Sequence, residues 1–246
     1  MIGVVVPAHD EAGGIAATLA SLVVAGRHPA LDGEDVAVVV VLDSCTDGTA
    51  GVVGGFPVSA LAIDARNVGV ARAAGAEHLL ARGARWLAFT DADTVVDPAW
   101  LVQQLALGAD AVCGTIAVAD WALHGADAPY LRHDFETTYT DADGHRHVHG
   151  ANLGVSAEAY RRAGGFAALR QGEDVALVEA LHRCGANVVF SAAPRVTTSA
   201  RTEARAQGGF GDAILAALAR GEAKAFSTSE IPPARGDTAE CRVAPG

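Results

Sequence analysis

Asp91-Ala92-Asp93 places two carboxylates one residue apart, directly after the apolar run 86–89. Carboxylates this close repel each other and cost stability unless a positive charge sits between them. A hard divalent cation meets that need, because Mg²⁺ and Mn²⁺ take oxygen ligands and share them with phosphates. The competing reading is an ordinary strand-to-helix turn, with Asp93 or Thr94 capping a helix that begins near Pro98. Other acids stand in comparable places. Asp10 and Glu11 follow the apolar run 2–6, and Asp43 closes the run 36–42. Glu173 and Asp174 open a helix much later in the chain.

The elements that must position these groups alternate. Short Val-rich runs at 2–6, 36–42, 58–63, 85–89 and 111–113 predict strands covered on both faces. Between them, helical spacing predicts helices over 13–26, 66–81 and 98–107. The pattern predicts an α/β fold with a doubly wound, mostly parallel sheet and right-handed crossovers. Ligands of such sheets bind beyond the carboxyl ends of the strands. Asp10, Glu11, Asp43, Asp91 and Asp93 all fall on that rim. Acid at three strand ends on one rim favours a metal–nucleotide site over helix caps.

The regularity breaks after Gly114. Residues 115–146 hold Trp121, His124, Tyr130, His133 and Tyr139 with little periodicity, as expected of an excursion that walls a substrate. His145, His147 and His149 alternate. A structural zinc site closes with four ligands, and no cysteine or second spaced pair completes one here. These histidines therefore read as solvated or substrate-facing, with His149, beside Gly150, the one that faces the site. Helices are expected at 156–163, with Ser156 as N-cap, at 175–184 and at 209–220, and a strand at 187–190. Acid in a first helical turn also satisfies the macrodipole, so Glu173 and Asp174 have a purely structural alternative. Arg201 and Arg205 suit a phosphate or carboxylate of an acceptor, the diphosphate of a donor, or plain surface charge.

Composition sets limits on function. The net charge of −11 excludes a nucleic-acid polymer as partner but not a nucleotide that brings its own cation. With 50% hydrophobic and 19% charged residues, a large core is easily built. Lys224 is the only lysine, which leaves a lysine phosphate loop or Schiff base almost no candidate. Cys45, Cys113, Cys184 and Cys241 form no C-x-x-C pair and read as reduced thiols of a cytoplasmic protein. The chain is read as having no leader before the first strand, and no apolar run approaches the roughly 20 residues of a membrane span. Peripheral contact with a membrane stays open.

Taken together, the motifs resemble family 2 glycosyltransferases. They run in order from Val4-Val5-Val6-Pro7-Ala8-His9-Asp10-Glu11 through Asp43 with Thr46-Asp47-Gly48-Thr49, then Asn67-Val68-Gly69 with Ala71-Arg72-Ala73-Ala74-Gly75. Asp91-Ala92-Asp93, Gly150-Ala151-Asn152, Gly164-Gly165-Phe166 and Glu173-Asp174 follow, so the resemblance covers roughly residues 2 to 190. It implies the GT-A fold. It also implies a single domain over 1–220, with a nucleotide-sugar donor half at 1–114, an acceptor half at 115–220 and a flexible tail at 221–246. The implied activity is metal-dependent transfer of a hexose-like sugar from a nucleotide-diphosphate sugar, a UDP-sugar foremost, to an acceptor hydroxyl with inversion.

The implied roles follow the motifs. Pro7, Ala8, Glu11 and Asp43 hold the base and ribose, and Arg72 lies near the diphosphate. Asp91 contacts the ribose or a metal-bound water, and Asp93 binds Mg²⁺ or Mn²⁺ directly. Asp174 is the catalytic base, and His149, Asn152 and Glu173 face the substrate. Two departures stand out: Leu42-Asp43-Ser44-Cys45 occupies the place of the family's two Asp followed by Gly-Ser, and Asp10 that of its usual Asn. The Q-x-x-R-W signature of processive synthases is absent, which implies single transfer. A retaining GT-A enzyme and a non-catalytic nucleotide-sugar binder are the alternatives. A nucleotidyltransferase would want a Gly-rich basic loop after the first strand, where Ala8-His9-Asp10-Glu11 stands.

Overall fold

The structure is a computed structural model that describes residues 1–118, 120–201 and 214–219. The Val-rich runs form the centre of one eight-stranded sheet. Its strands are β1 (Ile2–Ala8), β2 (Val36–Asp43), β3 (Ser59–Ile63), β4 (Trp86–Phe89), β5 (Val95–Val96), β6 (Ala111–Val118), β7 (Leu153–Ser156) and β8 (Val188–Thr198). Their order across the sheet is β3-β2-β1-β4-β7-β6-β8-β5. β1 pairs in parallel with β2 and β4, so Val5 lies between Val39 and Phe89. β7 runs antiparallel between β4 and β6, β8 runs parallel to β6, and β5 runs antiparallel to β8. The mostly parallel sheet expected from the pattern is therefore present.

The helices are α1 (Ile15–Ala25), α2 (Thr49–Val53), α3 (Val68–Ala81), α4 (Trp100–Ala106), α5 (Ala128–Thr138), α6 (Ala157–Ala163) and α7 (Glu173–Arg183). They cover both faces of the sheet. Val4 and Val6 pack with Ile15, Leu19, Leu22 and Trp100 on one side. Val5, Val39 and Val41 pack with Ala71, Leu79, Tyr160 and Leu177 on the other. Successive residues of β1 thus serve different layers, which is why the run is apolar without alternation. A smaller cluster, around Trp121, Leu131, Ala200 and Ile214, underlies the irregular segment.

Several elements differ from the sequence expectation. β6 does not stop at 113, because its register against β8 slips at Gly114/Thr115 and pairing resumes at Arg195. β5, β7 and α2 are too short to show a period. Asp93 and Thr94 do not cap α4. β5 intervenes, and the Ala99 N–H instead donates to Asp97 Oδ1 at 2.8 Å. Of the helix expected at 209–220, residues 214–219 are helical. Its remainder, Arg205, Cys241 and the tail 221–246 lie outside the described residues. Among the described residues no helix is long and apolar enough to cross a membrane.

Candidate active site

Parallel pairing of β1, β2 and β4 brings their carboxyl ends to one rim. Pro7 and Ala8 end β1, half-buried and buried respectively. Asp43 ends β2 and is buried. Its Oδ1 accepts the N–H groups of Ala65 and Arg66 at 2.7 and 2.8 Å, and its Oδ2 that of Asn67 at 2.8 Å. Burial alone would raise this carboxyl, but the three backbone donors outweigh it and hold the group below its ordinary value. The charge of Asp43 is thus spent on the loop that launches α3, whose N-cap Asn67 accepts the Val70 N–H at 3.1 Å. Asp10 works in a similar way. It sits in a left-handed backbone conformation, φ +53°, and accepts the N–H groups of Thr46 and Asp47. The Thr46 bond is foremost in lowering its pKa.

The two halves meet through Arg72. This α3 residue is 4% exposed, and its guanidinium donates to Asp91 Oδ1 at 2.6 Å and to Glu173 at the start of α7. Glu173 is equally buried. A Cβ at Gly150 would land on that guanidinium, so a larger residue there would have to push Arg72 out of its paired position. Gly69 is similar, since a Cβ would strike the backbone of Ala167 and Leu169 from the second half. Phe166 lies 5.9 Å from the guanidinium carbon, at cation–π range. Gly69 and Gly150 are thus close-approach positions, and Gly150 is the one set against the buried arginine.

Asp93 faces a different cation. Arg201 donates to both oxygens of Glu11, at 2.7 and 2.5 Å, and lies 3.0 Å from Asp93 Oδ2. Burial first, then the charges of Asp91 and Glu11, push the Asp93 carboxyl up to about 6, against the opposing pull of Arg201. Asp93 thus shares this arginine with Glu11.

Beyond Glu173, Asp174 Oδ2 accepts the Gly150 N–H at 2.8 Å. That contact sets Asp174 beside the Arg72 crossing. His149, next in line, is half-buried and pushed down to about 4, by burial first and then by His147 and His145. Its Nε2 lies 3.0 Å from the Tyr139 hydroxyl. The other two histidines are tied to backbone: His147 Nε2 accepts the Thr140 N–H, and His145 Nδ1 accepts that of His147.

Asn152 stands behind the site. It is fully buried, accepts the Trp100 indole N–H at 2.8 Å, and donates to the carbonyls of Thr115 and Pro194. With its amide spent on protein partners it holds the β6 irregularity rather than a ligand. Pro7, Ala8, Glu11, Asp43, Arg72, Asp91, Asp93, His149, Glu173 and Asp174 do gather at one end of the sheet. Tyr139 was not singled out from the sequence, because nothing in the irregular segment marks one aromatic residue over another.

Among the described residues no three His, Cys, Asp or Glu side chains converge on a common metal position. The donor set of Asp91 and Asp93 nevertheless suits a hard cation: it is all oxygen, and the two carboxylates lie close enough for the charge of Asp91 to add to burial in raising the Asp93 carboxyl.

Solved structures share this architecture. S. aureus TarS 1-349 in complex with UDP superposes with a TM-score of 0.61 at 16% identity, covering 81% of this chain and 60% of that one. The same fragment with UDP-GlcNAc gives 0.59 at 15% identity, covering 81% and 58%. Mannosyltransferase PcManGT from Pyrobaculum calidifontis, in complex with GDP-Man and Mn²⁺, gives 0.57 at 18% identity, covering 93% and 63%. At such identities the likeness establishes the fold, GT-A, the nucleotide-diphospho-sugar transferase type. The chain spans about three fifths of the length of those TarS structures. Comparison with curated protein sequences gives no match. Residues 3–164 match the family model described as Glycosyl transferase family 2, and the chain belongs to that family.

Proposed function

We propose that this chain is a divalent-metal-dependent, inverting glycosyltransferase of the cytoplasm that moves a sugar from a nucleotide-diphosphate sugar, a UDP-sugar foremost, to an acceptor hydroxyl. The observation that carries the reading is the Arg72 crossing, which joins Asp91 of the first half to Glu173, the neighbour of Asp174, in the second. A donor-binding rim and a candidate base thereby share one wall.

Asp93, with Asp91 beside it, would hold Mg²⁺ or Mn²⁺. The bound cation would neutralise charge developing on the diphosphate leaving group. Pro7, Ala8, Glu11 and the Asp43 loop shape the place of base and ribose. Asp174 takes the proton from the acceptor hydroxyl as that oxygen attacks the anomeric carbon. The Gly150 N–H fixes the carboxylate from one side and leaves the other oxygen, which accepts the Val175 N–H, for the incoming hydroxyl. Glu173 acts through Arg72 rather than on the substrate, and His149 faces the sugar.

The test is a panel of UDP- and GDP-sugars with Mn²⁺, following release of the nucleoside diphosphate from purified protein. The wild type releases it slowly by transfer to water. Asp174→Asn lowers that rate about 10²- to 10⁴-fold while donor affinity is kept. Full activity in the variant refutes the base, and no release or binding of any donor refutes the enzyme.

A further inference from the structure

The reaction scheme leaves Tyr139 without a role, yet its placement is tightly determined. The residue follows α5, and its ring is stacked between Phe135, with centroids 4.7 Å apart, and His147, at 4.1 Å. With both faces covered the ring keeps one orientation. Its hydroxyl oxygen accepts the Ile116 N–H at 2.8 Å. Burial pushes the phenol up to about 12, so it keeps its proton at neutral pH. Among the described residues the one acceptor within hydrogen-bonding distance of that proton is His149 Nε2, at 3.0 Å. The Tyr139 O–H therefore donates to His149. A neutral imidazole whose Nε2 accepts carries its single proton on Nδ1. Burial keeps this imidazole neutral, with His145 and His147 acting in the same direction and Asp91 against it. His149 Nδ1 has no hydrogen-bond partner among the described residues. The residue lies next to Gly150, which Asp174 holds, and close enough to Asp91 to feel its charge. An unused N–H donor is thus carried by a residue adjacent to the one that holds the candidate base and within range of the candidate donor contact.

We propose that Tyr139 is a positioning residue that fixes His149 as the Nδ1–H tautomer, and that this N–H donates to a hydroxyl of the donor sugar. The ligand half of the proposal rests on the transferase reading. The tautomer half rests on geometry alone, and the two are tested separately.

Long-range ¹⁵N–¹H correlation on the labelled full chain reads the ring directly. The wild type shows a protonated Nδ1 and a bare Nε2 at His149, and Tyr139→Phe, which keeps the stacked ring, loses that preference. A protonated Nε2 in the wild type overturns the proposal. Calorimetric titration then compares UDP-N-acetylglucosamine with UDP, and GDP-mannose with GDP. Tyr139→Phe weakens the sugar nucleotide about five- to tenfold and leaves the nucleoside diphosphate unchanged. His149→Asn, whose amide N–H lies near the Nδ1 place, falls less than His149→Gln, whose amide lies nearer Nε2. Equal losses for sugar nucleotide and nucleoside diphosphate, or for the two His149 variants, overturn the sugar contact. If the wild type binds none of the four nucleotides, the transferase reading falls with the sugar contact, while the spectrum still decides the tautomer.

Discussion

Arg72 and Arg201 bring positive charge to one acid patch from opposite sides, and they are held in different ways. Arg72 stands on α3, is almost fully buried, and pairs with Asp91, two residues past β4, and with Glu173 at the start of α7. Glycine at 150 clears its path and Phe166 lies close to it. Arg201 lies past the end of β8, in no regular element, with its side chain 29% exposed. Its partners, Glu11 and Asp93, belong to loops. Two residues of one type therefore serve as different devices. Arg72 is a scaffold cation whose removal strands a buried carboxylate. Arg201 is an exchangeable cation, positioned where a divalent ion is proposed to act.

The largest effect that tests this contrast is on stability. Arg72→Met leaves Glu173 buried and unpaired and should cost about 3–5 kcal/mol in urea unfolding. Arg201→Met should cost about 1–2 kcal/mol, since its side chain is partly solvated. Equal losses would erase the distinction. A smaller effect is expected at Asp93. Its folded pKa of about 6 exceeds the ordinary carboxylate value of 3.8. The ionised form therefore costs stability, fully above about pH 6, with the cost vanishing as pH falls below 3.8. In metal-free protein, Asp93→Asn should stabilise by up to about 3 kcal/mol at pH 7.5 and by almost nothing at pH 3.5, measured by denaturant unfolding at both. Destabilisation at pH 7.5 would mean that Arg201 compensates Asp93 completely. The smallest effect concerns exchange itself. Arg201→Gln should tighten Mn²⁺ binding about tenfold, or about 1.4 kcal/mol, read from the electron paramagnetic resonance signal of free Mn²⁺. Weaker binding would make Arg201 an ally of the cation rather than its rival.

The same contrast marks how far the sequence could be read. β1 to β4, α1 and α3 were legible because each is long enough to show a period or an unbroken apolar run. The rim of acids followed from strand direction alone. β5 and β7 were not legible, since two and four residues carry no period and the Gly-Ala-Asn-Leu-Gly stretch looks like a loop. Arg72 was placed near the site by motif, but its bond to Glu173 spans 101 positions and no local pattern encodes it. Asn152 shows the opposite limit. Its motif marks a position close to the rim, while the direction of its side chain depends on the irregularity in β6 that it fills. The anchors of Arg201 were left open because side-chain partners of loop arginines depend on tertiary packing alone.

The reversed strand β7 has a consequence for how this protein could be remodelled. Because β7 pairs antiparallel with β6, Leu153 at the start of β7 stands opposite Cys113, and the stretch between them leaves and re-enters the β6–β7 ladder at adjacent points. Such a stretch is an exchangeable cassette with both ends clamped. Doubling its length would cost only about 0.6 kcal/mol in closure entropy, so it could be swapped for a longer or shorter one while the donor rim stays intact. Under the proposed reading, a graft that keeps Tyr139, His149 and Gly150 would change the acceptor without rebuilding the sheet.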